Sequence, residues 1–269
     1  MSARFCFADI FYIYRTRLIY TMRYFLQFSY DGTVYHGWQV QPNADTVQQR
    51  LDRALALILR QSVETVGAGR TDTGVHADMM VAHFDVDQTL DTHAIVHKLN
   101  RVLPQDIAVR SLRPVRDDAH ARFDATARTY HYYVYTQKNP RLRHFALQLF
   151  FTPDYALMNA AAEQLLSVTD FTSFSKLHTD ARTNICHVSH ARWVQVDADL
   201  WRFEITANRF LRNMVRAVVG TLLEVGRHRL SLDDFRQIIE RKDRCEAGDS
   251  VAARALSLVH IAYPESLFL

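Results

Sequence analysis

The stretch from Gly67 to Ala77, GAGRTDTGVHA, gathers the residues best able to do chemistry. One carboxylate, Asp72, lies between Thr71 and Thr73, with Arg70 two positions before it and His76 beyond. The glycines are too frequent for a helix, and they allow tight turns and close backbone approach. A lone acid on such a loop, beside a cation and free of bulk, suits a group presented to a bound substrate. The same residues also suit an aspartate that caps a turn, with Arg70 as a surface ion pair. The loop alone does not separate these readings.

Four other clusters bear on chemistry. His120-Ala121-Arg122-Phe123 is followed by Arg128-Thr129-Tyr130-His131-Tyr132-Tyr133. Arginines alternating with aromatics on a strand suit RNA, with cations for phosphate and rings for stacking. Such aromatics also make good core, the stronger reading for Tyr132; Tyr130 stays open. Asp170–Ser175, DFTSFS, reads as a loop that packs two phenylalanines and exposes hydroxyls. In Asn208–Arg216, NRFLRNMVR, Phe210, Met214 and Val218 fall on one face of an expected helix, and Arg209, Arg212 and Arg216 on another. Three arginines without an intervening acid repel one another unless an anion is near, which makes Arg216 a candidate partner for Asp72. His93 and His97 have the i, i+4 spacing that can bind zinc, but no third ligand accompanies them, so surface histidines are the stronger reading. No P-loop, dinucleotide fingerprint or serine nucleophile elbow occurs.

The elements that must hold these residues follow from periodicity. Met22–Tyr30, Val63–Val66, Met79–Val86 and Ile107–Leu112 read as strands, and Thr46–Arg60 and Thr92–Val102 as helices. Thr46 with Gln49 forms a capping-box signature. The order is that of a split βαβ, ferredoxin-like unit. The second half repeats it. Its strands are Thr129–Thr136, Cys186–Val196, Trp201–Ala207 and Leu256–Ala262; its helices are Asp154–Leu166, Phe210–Val225 and Leu232–Glu240. The expected fold is therefore α+β. Two such halves, 22–116 and 117–269, form a mixed or antiparallel sheet with helices on one side and a cleft between the halves. The Arg-rich passage Arg110–Arg128 joins them. Residues 1–21 are aromatic-rich, carry Asp9 and lack a cleavage site, so they read as an N-terminal extension outside the fold, with Met22 as a candidate start.

Composition narrows the class. The chain has 269 residues, 48% hydrophobic and 23% charged, as in an ordinary globular protein. Net charge is only +3, but four lysines among 32 basic residues leave nearly all positive charge on guanidinium. That favours phosphate and base contacts, or reflects genome composition. Three scattered cysteines suggest a reducing compartment, the cytoplasm, and no structural zinc. No apolar run approaches the roughly 18 residues of a membrane span.

Six segments together resemble the TruA-type tRNA pseudouridine synthases: YDGTVYHGWQ, GAGRTDTGVHA, DIAVRSL, HARFDATARTYHYYV, DFTSFS and NRFLRNMVRAVVG. The resemblance runs from Met22 to about Pro264. It implies two ferredoxin-like halves, a homodimer, no cofactor and no metal. The substrate it implies is the anticodon arm of tRNA, at uridines 38 to 40. The implied reaction breaks the bond from N1 to the ribose and remakes it through C5. By the same resemblance, Asp72 is the nucleophile and Tyr130 the residue that stacks on the uracil and can serve as a base. Arg70 helps displace the nucleotide or fix the loop, and Arg216 pairs with Asp72. Arg122, Arg128, Arg209 and Arg212 are expected to hold the RNA backbone. Attack at C6, attack at C1′ and elimination all remain open. The alternative is a catalytically inactive RNA-binding protein on the same fold.

Overall fold

The computed structural model describes residues 21–176 and 183–269. The expectation for residues 1–21 lies outside them but for Thr21. In the first half, β1 (Met22–Tyr30), α1 (Val47–Leu59), β2 (Val66–Gly67), β3 (His76–Val86), α2 (Thr92–Val102) and β4 (Ile107–Val115) follow in order. The second half holds β5 (Ala127–Tyr135), β6 (Leu147–Gln148), α3 (Tyr155–Gln164), β7 (Val188–Asp197), β8 (Leu200–Ala207), α4 (Met214–Gly226), α5 (Leu232–Arg241) and β9 (Leu256–Ala262).

The strands form one nine-stranded mixed sheet in the order β4-β1-β3-β9-β5-β8-β7, with β2 on β3 and β6 on β5. The first unit reads β4-β1-β3-β2 and the second β9-β5-β8-β7, the same split βαβ arrangement twice. Within each unit the helices pack side by side, α1 against α2 and α3 against α4. Strands β3 and β9 join the units as a short parallel pair at His76–Ser257 and Ala77–Leu258, and Val115 at the end of β4 makes an antiparallel bridge to Phe268 near the C-terminus. On the same edge of β3, β2 pairs further along, at His83 and Ala82. The loop between β2 and β3, which carries Asp72, therefore emerges at the seam.

Two hydrophobic cores flank this seam. One is built on Tyr24, Leu26, Phe28, Leu51, Leu55, Phe84 and Leu99. The other is built on Tyr132, Phe203, Met214, Val218, Leu222 and Phe235. Strand β9 serves both, through Leu258 and Ile261 on one side and Leu256 on the other. Helix starts are chemically marked. Thr46, Asp91, Asp154 and Ser231 each accept a backbone N–H as N-caps, and Ser231 completes a reciprocal box with Asp234.

Helix α4 differs from expectation. It begins at Met214, behind Asn213 in the left-handed region (φ 67°), so Phe210–Asn213 precede it as a loop. Arg209, Arg212 and Arg216 thus do not share a helical face. The DFTSFS segment packs Phe171 and Phe174 as expected, but the Ser173 and Ser175 side chains are buried as well. Ser173 Oγ donates to the Ile238 carbonyl at 2.6 Å.

Candidate active site

The Asp72 loop starts in one core and ends in the other. Ala68 is buried in the first and Val75 in the second. Between them the turn is closed by Val75 N–H donating to the Asp72 carbonyl at 3.1 Å. The backbone of Asp72 makes the turn, and its carboxylate faces elsewhere. The floor of the loop is the YDGTVYHGWQ segment. Tyr30 and Thr71 share a buried hydroxyl–hydroxyl bond of 2.8 Å. Trp38 N–H reaches the Thr71 carbonyl at 3.3 Å, and Gly74 N–H reaches that of Tyr35 at 3.3 Å.

Two glycines permit this contact. A Cβ at Gly67 would lie 2.5 Å from Trp38 Nε1. Gly37 has φ +88°, and a Cβ there would run into the Thr71 carbonyl. Gly37→Ala is therefore expected to destabilise the fold by about 1–3 kcal/mol, lowering Tm by roughly 2–12 °C at about 2–4 °C per kcal/mol for a chain of this size. It should also reduce kcat more than it raises KM, because Thr71 carries Asp72 with it. Thermal melting and steady-state kinetics check both; a wild-type Tm would refute the close-packing argument.

Two guanidiniums approach the Asp72 carboxylate. Arg212 Nε lies 3.5 Å from Oδ1 and Arg216 Nη1 lies 3.6 Å from Oδ2. Arg216 is the more enclosed, and its Nε donates to the Val251 carbonyl at 2.7 Å. Arg212 is largely exposed. Arg212, which the sequence expects on the RNA backbone, lies beside Asp72. Both of these ion pairs to the carboxylate come from guanidiniums, an arrangement that suits an anionic ligand.

Tyr130 is half-buried on β5, where it packs against both cores. Its ring meets Phe210 at 87° with centroids 5.1 Å apart. Burial pushes its phenol up to about 12; Arg128 pulls it back, and the charge of Asp72 adds to the rise. At neutral pH it is an uncharged phenol. Tyr132 is fully buried and donates to the Ala252 carbonyl at 2.9 Å. Phe210 escaped notice as a site wall because it was read as part of a helix.

Arg128, which the sequence expects on the RNA backbone, has its two terminal nitrogens in four hydrogen bonds to backbone carbonyls. Each terminal nitrogen carries two N–H groups, so all four are occupied. Burial also draws this guanidinium below the usual arginine range. Arg70 and Arg122 are exposed and Arg209 half-buried. His93 and His97 are exposed on α2. Among the described residues no group of three or more His, Cys, Asp or Glu side chains is placed to hold a metal. Among them, too, no helix is long and apolar enough to cross a membrane.

A carboxylate between two arginines, beside a half-buried tyrosine at a seam of twin βαβ units, is the setting in which comparison with known proteins becomes decisive. The tRNA pseudouridine synthase family model matches residues 27–124 and 161–264, and the chain belongs to that family. It is 57% identical over 248 residues to tRNA pseudouridine synthase A of Bacteroides thetaiotaomicron, covering 91% of this chain and 92% of the relative. The protein of the same name from Porphyromonas gingivalis is 52% identical over 250 residues, covering 92% and 99%. That from Bacillus subtilis is 37% identical over 246 residues, covering 90% and 99%.

Proposed function

We propose that this protein isomerises uridine to pseudouridine in the anticodon arm of tRNA, at positions 38 to 40. The C1′–N1 bond breaks and a C1′–C5 bond forms; C5 loses its hydrogen as a proton and N1 gains one. The observation that carries the reading is the Asp72 carboxylate, set on a loop wedged between two cores and faced by Arg212 and Arg216. Asp72 acts as the nucleophile. Arg216 orients it and offsets its charge as the anionic RNA approaches. Arg70, exposed on the same loop, helps displace the nucleotide or fixes the loop against it. Arg122 and Arg209 hold phosphates. No metal or cofactor is needed in this scheme.

A paired uracil must leave its stack, at a cost of a few kcal/mol. Stacking on Tyr130 offsets about 1–3 kcal/mol of that. Because its phenol is uncharged at neutral pH, Tyr130 enters the reaction as a ring and a proton donor or relay, not as a phenolate. Tyr130→Phe, which keeps the ring, is expected to leave KM for tRNA unchanged. Tyr130→Ala should raise it by about 5- to 150-fold, the equivalent of that stacking energy. Equal KM values for the two variants would remove the ring from substrate binding.

The units 22–116 and 117–269 act as two walls of one RNA cleft. The protein works in the cytoplasm as a homodimer. An inactive RNA binder would have no use for a carboxylate turned toward an anionic ligand. The test is a map of pseudouridine in tRNA from a strain lacking this gene. Loss at positions 38 to 40 is expected, and unchanged tRNA would sink the reading.

A further inference from the structure

Arg128 stands two residues before Tyr130 on β5, and its guanidinium joins four carbonyls from three segments. Nη1 donates to the carbonyls of Ala125 at 3.1 Å and Asn208 at 2.8 Å. Nη2 donates to those of Ala68 at 3.1 Å and Arg122 at 2.6 Å. Ala68 opens the Asp72 loop. Asn208 leads into the segment that carries Phe210 and Arg212 and then Arg216. Arg122 and Ala125 belong to the passage entering β5. The groups of the site therefore come from separate parts of the chain, and one side chain ties the backbones that bear them.

We propose that Arg128 is a positioning residue that sets the Asp72 loop against Tyr130 and the Arg212–Arg216 arm, rather than a phosphate contact. The inference rests on the pseudouridine synthase reading above. The chemistry of the side chain supports it. A guanidinium offers five N–H donors in a rigid planar fork, which can join carbonyls that point in different directions. A lysine offers three donors on a flexible point charge and cannot bridge the same four acceptors. Catalytic geometry is also unforgiving, since a displacement of about 1 Å can cost about 100-fold in rate.

The test compares wild type, Arg128→Lys and Arg128→Met in pseudouridine formation on tRNA over a range of salt concentrations. Amide exchange is followed in the loop from Gly67 to Val75. Both variants are expected to lose about 100-fold in kcat, with KM for tRNA within about twofold of wild type and the salt dependence of binding unchanged. Loop amides should exchange faster in both while those of β1 and β3 keep their protection. If Arg128→Met does not fold, Arg128→Lys carries the test, since it retains the charge and the stem. The proposal is overturned if Arg128→Lys keeps wild-type kcat and loop protection. It is equally overturned if Arg128→Met instead weakens binding and lowers the salt slope by about one contact, the mark of a phosphate ligand. If wild type itself forms no pseudouridine, the functional reading fails, and loop exchange still tells whether Arg128 anchors the loop.

Discussion

Asp72→Asn is expected to abolish pseudouridine formation, lowering kcat by at least about 10⁴-fold, as removal of a nucleophile does. The substitution keeps the shape of the side chain. The turn is closed through the backbone carbonyl of residue 72, not its carboxylate, so the loop and the Tm should survive. Binding of tRNA should also survive, and grow somewhat tighter. The variant removes one negative charge and leaves Arg212 and Arg216 without their carboxylate, and both changes favour an approaching phosphate backbone. Single-turnover conversion and filter binding on the same preparations separate the two effects. Residual isomerisation within tenfold of wild type would place the nucleophile elsewhere. Loss of binding together with activity would mean that the variant had disturbed the cleft rather than the chemistry.

The outline of this site was legible in the sequence because its parts are chemically distinctive. A carboxylate in a glycine-rich run needs no structure to be noticed, and the strand and helix periods around it are regular. Strand β9 and helix α2 match their expected bounds. What escaped was whatever depends on backbone partners. Nothing in the residue Arg128 says whether it points to phosphate or to four carbonyls. The role of YDGTVYHGWQ as a cradle was equally silent, since it works through Gly37 and Gly67 meeting Thr71 and Trp38. The start of α4 was missed for a different reason. Phe210 and Met214 keep a helical spacing, but Asn213 adopts a left-handed conformation and Phe210 turns instead to Tyr130. An apolar period shows which residues are buried, not where the helical hydrogen bonds begin.

The two arginines at Asp72 are not equivalent, and the difference sets the second large effect. Arg216 is four-fifths covered and anchored through Nε to the Val251 carbonyl, so its Nη1 is held at a fixed place beside Oδ2. Arg212 is about 60% exposed, and water and salt screen its pull on Oδ1. Arg216→Ala is therefore expected to cost about 10²- to 10³-fold in kcat, the range for loss of one preorganised electrostatic group. Arg212→Ala should cost about tenfold or less. The backbone bond from Val251 N–H to the Arg216 carbonyl remains in the variant, so α4 should keep its place and the loss should fall on kcat rather than on Tm. Arg216→Lys restores the charge without the Nε anchor and should recover only part of the rate. Because both arginines act on one carboxylate, the double variant should lose less than the product of the single losses. Equal effects of the two single variants, or a change confined to KM, would show that fixed orientation of Asp72 is not what Arg216 contributes.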